Sequence, residues 1–419
     1  MNMTETNFQH TEIGDFPSAW KVTLLGDLCK VNGRVGFKGY NKSDLVSQGM
    51  GAYTIGCKHI SKNHLDLSDP DYISWPKYYE SPEIMVKSGD ILLAQRGTLG
   101  VSAIVPPGIG CATINPSLVL LNNIKCCNSY LDYFLKAKSS VDELLQNSNQ
   151  TSVPMISQKQ IGLLHIAIPE DEGEQERIAI ALRDIDDLIQ DLRALIAKKQ
   201  DIRTATMRQL LSGETRLRGF TKDWIDYKLN DLAALFKGKG LSKGKISPSG
   251  KYKCMLYGEI FTTYDYYVDE CVSHTDYYEG APSVAGDVLM PASTTTCGRD
   301  LAKAVAVLED GILLGGDIII IRNANKMFDN VFLAALLTDL YKDQVEEVAH
   351  GVTIIHLTTR NIENFSMHIP SDIKEQQAIA EVLRDMNDEI NVLEERLQKY
   401  QDLRSGMMQQ LLTGKIRLI

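Results

Sequence analysis

Much of what an enzyme or a membrane protein would carry is missing from this sequence. No apolar run approaches the roughly 18–20 residues of a membrane-spanning helix. The polar, acidic opening MNMTETNFQHTEIGDF fits neither a secretory signal nor an Arg-rich transit peptide. The 8 cysteines show no CxxC spacing, with Cys126 and Cys127 adjacent, which favours idle reduced thiols over a disulfide framework or a zinc site. The 8 histidines do not cluster, and neither His59 with His64 nor His350 with His356 makes a persuasive metal-ligand pair. There is no GxxxxGK[ST] loop for a nucleotide and no GxSxG elbow for a nucleophile. An N/D-P-P-Y/F motif for a base-modifying pocket is also missing; INPS at 114–117 only imitates it. SPEIMVK at 81–87 has an acid and a lysine but not the spaced acids of a metal-dependent nuclease. The expectation is a cytoplasmic protein without a catalytic or metal centre of its own.

Positive charge is scarce too. Across 419 residues the formal net charge is −10, with 44% hydrophobic and 23% charged residues, ordinary for a globular chain of two or three domains. Residues 1–172 sum to −3, 173–218 to +1, 219–372 to −7 and 373–419 to −1. No segment is basic as a whole, so an anion-binding surface must be local.

What the sequence has is a repeat. EQERIAIALRDIDDLIQDL from Glu174 returns as EQQAIAEVLRDMNDEINVL from Glu375, and RQLLSGETRL (208–217) returns as QQLLTGKIRL (409–418). Pairing residues 174–217 with those 201 positions later needs no gap, and 21 of the 44 pairs are identical. Ile178, Leu182, Ile185, Ile189, Leu192 and Ile196 are spaced 4, 3, 4, 3, 4, and Ile379, Leu383, Met386, Ile390, Leu393, Leu397 and Tyr400 continue the pattern. Apolar residues every 3.5 positions predict a coiled-coil seam over helices 174–211 and 375–412, each about 57 Å long and stopped by Gly213 or Gly414. Each helix is the nearest cover for the other, which predicts an antiparallel intramolecular pair; the alternative packs each helix on its own globule.

Weaker echoes precede each helix. AWKVTLLGDL (19–28) answers DWIDYKLNDL (223–232), SGDILLA (88–94) answers AGDVLMP (285–291), and IAIPEDEGEQ (166–175) answers MHIPSDIKEQ (367–376). Short β-like runs such as SLVLL and DIIIIR, interrupted by helical stretches near 129–146 and 329–347, predict a mixed α/β globule with a strongly bent sheet before each helix. The fold class expected is therefore α+β: two mixed α/β globules joined by two long helices in an antiparallel coiled coil, as a pseudo-two-fold repeat. Between the anchors the globules share almost nothing that aligns. Similar frames with different contents suggest one kind of job on two targets.

Local basic charge lies at matching places. KGKGLSKGKISPSGKYK (237–253) holds six lysines and no acid, among them Lys237, Lys239, Lys243, Lys245 and Lys251. KVNGRVGFKGYNK (30–42) holds Arg34, Lys38 and Lys42, again without an acid. Phe37, Tyr40, Phe236 and Tyr252 interleave with these charges. Glycine-rich basic loops let amides and ammonium groups reach phosphates, although a merely solvated loop has the same composition. FKGKG (236–240) also matches the FxGxG loop of S-adenosylmethionine-binding methyltransferases, but no ligand-receiving helix follows. After each GD(I/V)L strand, AQRGTLG (94–100) offers Gln95, Arg96 and Thr98, and PASTTTCGRD (291–300) offers Thr294, Thr295 and Arg299. Arginine suits guanine and glutamine suits adenine in a major groove; a surface turn is the alternative. A further polar loop pairs NSNQTSVPMIS (147–157) with VAHGVTIIHLT (348–358).

The repeated helices ending in QLL(S/T)G..RL, with the W…..L.DL and GD(I/V)L anchors, resemble the specificity subunits of type I restriction–modification systems over about residues 15–419. The polar, acidic residues 1–14 are expected to be a short disordered lead-in, and the resemblance implies target-recognition domains at 15–172 and 219–372 and conserved spacer helices at 173–218 and 373–419. It implies a non-catalytic subunit that reads a bipartite site in double-stranded DNA. The spacers would dock two methyltransferase (modification) subunits and, with them, restriction/translocase subunits, with no membrane involved. S-adenosylmethionine, ATP and Mg would sit in those partners, and no cofactor in this chain. The polar helix positions available for docking are Glu174, Gln175, Arg183, Asp184 and Arg203, with their repeat mates Glu375, Gln376, Arg384, Asp385 and Arg404. The alternative is an assembly scaffold that binds proteins without reading bases.

Overall fold

The computed structural model describes residues 7–61, 64–149, 153–323 and 325–419. They form two compact units, residues 1–193 with 396–419, and residues 194–395. These units do not end where the globules end, because each long helix contributes to both. The helices run Glu172–Leu211 and Ile373–Leu411, close to the extents predicted from their periodicity.

Each globule is built on one strand that is buried on both faces. In the first unit Ile91–Ala94 pairs antiparallel with Leu118–Asn122 on one side and Ser102–Ile104 on the other, and Lys30–Gly33 completes the sheet. Side chains alternate across a strand, so the unbroken apolar runs serve two cores. Ile91, Leu93, Val119 and Leu121 face a core closed by Asn128–Leu135, Lys138–Gln146 and the long helices. Leu92, Ala94, Leu118 and Leu120 face a second core with Ile55 and Ile114 of another sheet, whose strand order is Ala112–Ile114, Gly51–Ile55, Asp71–Ser74, Leu45–Val46. A single bent sheet, as expected from the sequence, is thus replaced by two sheets over a shared core.

The second unit repeats the plan. Val288–Pro291 is flanked by Ile318–Arg322 and Val305–Val307, with Ala234–Lys237 next to Ile318–Arg322. Val288, Met290, Ile319 and Ile321 face the helices, while Leu289, Ile318 and Ile320 face the other core. The contents that do not align in sequence therefore fold on the same central plan, although the second unit adds a fifth strand, Tyr267–Val268, beside Val305–Val307, and the edge strand of the other sheet differs. Residues 8–14 correct the expected disordered lead-in: Phe8–Thr11 pairs antiparallel with Gly14–Pro17, while residues 1–6 lie outside the described residues.

The helix pair is antiparallel in both units. In the first, Arg404 reaches Asp186. In the second, Lys199 pairs with Glu389 at 2.7 Å and Gln200 donates to Glu394 at 3.2 Å. The seam of the first helix is buried from Ile178 to Ile196, whereas Met386, Leu393, Leu397 and Tyr400 of the second are only half-buried. The helix ends also pack on the globules: Ile178, Leu182 and Leu411 enter one core, and Met207, Leu210, Ile379 and Leu383 the other. Both modes of cover named in the sequence analysis are used.

Candidate nucleic-acid interface

The repeated sequence assembles one corner in each unit. Just past the helix ends, Gly213 and Gly414 adopt left-handed φ of +75° and +66°, as a helix-terminating residue without a Cβ can. That turn lays the Gly213 backbone against the Trp224 ring, and Gly414 against Pro17 and Trp20. The chain after each glycine then returns an arginine to the start of the other long helix. Arg417 holds buried Glu174 with two contacts at 2.5 and 2.6 Å, and Arg216 holds buried Glu375 at 2.9 and 2.6 Å. Bidentate arginine–carboxylate pairs of this kind are among the stronger protein hydrogen bonds. The neighbouring glutamine finishes the joint: Gln175 donates to Pro169 O and accepts from Cys127 N, as Gln376 does with Pro370 O and Asp329 N.

These contacts correct the docking assignment of Glu174, Gln175, Glu375 and Gln376. All four are buried and satisfied within the chain, since a buried polar group needs a partner and the glycine-turned tail supplies one. Arg404 is likewise occupied by Asp186, to which Tyr133 also donates at 3.0 Å. Arg203 bonds Asp265 at 3.0 Å and the Tyr266 hydroxyl at 2.9 Å, and Arg384 lies 4.6 Å over the Tyr267 ring. Arg183, Asp184 and Asp385 remain exposed.

The two basic loops differ. Arg34 is only 5% exposed, and its guanidinium donates to Ile114 O, Lys38 O and Thr113 Oγ1 and lies 5.3 Å over Tyr40. Burial lowers its pKa from the usual arginine range. It is an internal strut, which corrects its assignment to DNA. Lys38 pairs with Glu83 at 3.3 Å, the Tyr40 hydroxyl meets Thr54, and Lys42 is exposed. The Phe37 side chain lies outside the described residues. In the second loop Lys237, Lys239, Lys243 and Lys251 are exposed, and Lys245 pairs with Glu279 at 2.5 Å.

Among the turn residues, Gln95 has its amide nitrogen on Pro116 O and Leu118 O, so it is not poised for an adenine; Arg96 and Thr98 are exposed. Thr294 is buried with its hydroxyl on Thr296, and Thr295 is exposed. Arg299 is already paired with Asp343 and Glu346 of the helix Lys342–Val348. The third candidate loop includes residues 150–152, outside the described residues.

A cavity without any signal in the sequence, of about 810 Å³, opens beside the second basic loop, lined by Leu241, Lys243, Leu256, Tyr257, Glu259 and Gly315 among others. Glu259 Oε1 accepts from Leu256 N at 3.0 Å, while Oε2 is buried without a hydrogen-bond partner. Burial holds this carboxyl above its ordinary value. Such an oxygen can accept from the exocyclic amino group of a base. Among the described residues no cluster of three His, Cys, Asp or Glu could hold a metal, and no helix is long and apolar enough to cross a membrane. Burial pushes the thiols of Cys29 and Cys254 up to about 12, which leaves them unreactive.

Two globules of one plan, each closed by the same corner, match a known protein architecture. The family model described as type I restriction modification DNA specificity domain covers residues 17–198 and again 221–400. The chain belongs to this family. A type I restriction enzyme specificity subunit of Methanocaldococcus jannaschii, MjaVIII, is 25% identical over 434 residues, covering 99% of this chain and 97% of that protein. The fold is similar to the crystal structure of the type I restriction–modification S subunit from M. genitalium, with a TM-score of 0.58, 13% identity and 98% of both chains covered. The HsdS subunit of Thermoanaerobacter tengcongensis has a TM-score of 0.51 at 14% identity, covering 96% of this chain and 98% of that one. As a type I specificity subunit the chain is a non-catalytic, DNA sequence-recognition component, and its two family domains correspond to the internal repeat.

Proposed function

We propose that this specificity subunit gives a type I complex its address: each globule reads one half of a bipartite, asymmetric DNA site, and the paired helices fix the number of unread base pairs between the halves. The observation that carries this reading is the repeated corner, Trp over glycine and arginine on glutamate, which closes two globules of one central plan and unequal loops. Equal frames with unequal surfaces suit two half-sites of different sequence. The exposed lysines of the second loop and Arg96 with Lys42 of the first unit supply phosphate and base contacts. The exposed helix positions, including Arg183, Asp184 and Asp385, face two modification subunits, which bring S-adenosylmethionine and methylate adenine; ATP-dependent, Mg-requiring restriction subunits join them. The complex works in the cytoplasm. The test is to express the chain with its modification partner and map methylated adenines: one bipartite motif is expected, and methylation without sequence preference overturns the reading.

A further inference from the structure

Both units carry the triplet Tyr-Tyr-Glu at an equivalent place, although its 199-residue offset differs from the 201 of the helices and no alignment links the two. Strand Asp71–Ser74 lies antiparallel to Gly51–Ile55, and strand Ser273–Thr275 lies antiparallel to Tyr252–Met255. The first strand leads into the short helix Trp75–Tyr79 and Glu80; the second leads directly into Tyr277, Tyr278 and Glu279. In each the glutamate is tied to a lysine at 2.5 Å, Lys77 with Glu80 and Lys245 with Glu279.

The outer tyrosine is left in solvent. Tyr79 is 63% exposed and stacks on half-covered Trp75 with centroids 6.1 Å apart, while Tyr278 is 73% exposed and sits edge-on to Tyr252 at 5.2 Å. The basic loop touches the same element in both units: Tyr40 packs on the small core containing Tyr78, and Lys245 and Lys251 lie 5.1 Å over the rings of Tyr277 and Tyr252. Large exposed rings framed by lysines are the composition of a surface that meets nucleic acid, with ammonium groups on phosphates and ring faces on sugars or base steps. Of the six lysines in 237–253, Lys245 and Lys253 are paired with Glu279 and Glu309, while Lys237, Lys239, Lys243 and Lys251 are exposed and give the charge that complements a polyanion.

We infer that Tyr79 with Trp75 in the first unit, and Tyr278 in the second, form the aromatic half of each DNA-contacting surface, packing ring faces against the duplex while exposed lysines of the basic loops, Lys42 in the first unit and Lys243 and Lys251 in the second, hold phosphates. The inference rests on the DNA-reading proposal above. Because every nucleotide of a duplex presents a sugar whatever its base, this contact adds affinity and position rather than base identity.

The test uses the assembled complex with modification subunits and a duplex carrying the motif mapped by methylation. Tyr79→Ala and Tyr278→Ala should each weaken binding about tenfold, leave the methylated motif and co-elution with partners unchanged, and be rescued by Tyr→Phe. Alanine variants that bind as tightly as the parent overturn the inference. Phe variants as weak as Ala overturn it too, since the hydroxyl would then be the contact. Loss of partner co-elution would reassign the rings to protein docking. If the unmodified complex itself shows no selective binding, the DNA-reading proposal fails first, a result distinguishable from failure of the tyrosines alone.

Discussion

In the first unit Arg34 leaves its basic loop and points inward, with its nitrogens on Ile114, Lys38 and Thr113, whereas in the second unit Lys237, Lys239 and Lys243 stay in solvent. The sequences of the two loops look alike: basic, glycine-rich, without acids. Their charges do different work. An arginine has a planar fork that carbonyls and a tyrosine face can satisfy inside a protein, while a lysine ammonium is a strongly hydrated point charge that stays at the surface. Formal charge counted along a chain therefore overstates the charge a ligand can meet. The corners behave oppositely: the arginine–glutamate and glutamine–backbone contacts use the same atoms in both units. The difference lies in the indole, with Trp224 Nε1 donating to Glu375 at 3.4 Å and Trp20 Nε1 buried without a partner. Frames are shared where the chain must close, and they diverge where it faces outward.

The sharpest way to break that sameness is at the corner. Glu174→Ala strands Arg417 and should cost about 3 kcal/mol, the low end for a broken buried pair because the arginine keeps some solvent, and Glu375→Ala, which strands Arg216, should destabilise as well. Glu174 should be the costlier site, because the Arg417 side chain is 15% exposed and that of Arg216 is 29% exposed. Denaturant unfolding of the two variants measures this, and near-neutral results would mean the corners do not hold the units shut. Next comes the loop contrast. Arg34→Ala should cost about 2–3 kcal/mol by leaving buried acceptors without donors. Lys239→Glu with Lys243→Glu should leave stability within about 0.5 kcal/mol yet weaken DNA binding by the complex. The slope of affinity against salt should then fall by roughly one unit for each phosphate that the loop no longer neutralises.

The glycine turns come third. Gly213→Ala and Gly414→Ala both force a side chain into the left-handed region at about 1 kcal/mol. At 414 the new Cβ also runs into the Pro17 ring, whereas at 213 it stands 3.3 Å from Trp224. Calorimetric melting of both should rank 414 as the more damaging. The smallest effect concerns pH. Burial raises the Glu259 carboxyl above 4.5 in the folded state. Its contribution is therefore fully present below the unfolded value and lost as pH rises through the folded one. Glu259→Gln should flatten that decline in melting temperature across the acid range; parallel curves would show that Glu259 is not the group responsible.

The helices and their stops were legible because a 3.5-residue period and a following glycine act through local geometry. The shared topology of the globules was not, because strand order depends on which residues alternate between two cores, and many apolar sequences satisfy that. Local chemistry also misled. EQ at the start of a helix looks like an exposed polar patch, and only a contact from 243 residues away shows that Glu174 is buried. Gln95 and Arg299 have the right donors for bases, yet neighbours in space already hold them. The Glu259 cavity had no pattern to reveal it, being assembled from four separate stretches of chain.

The arginine that closes each corner also sets a timetable for synthesis. Unit two, 194–395, is one continuous stretch, so a nascent chain can complete it as it leaves the ribosome. Unit one begins at the other end of the message but waits for residues 396–419, among them Arg417 on Glu174 and Leu418 O on the Arg177 guanidinium. The globule made first is thus the last to lock, and a chain released a few residues early would hold every side chain of both loops with one corner still open.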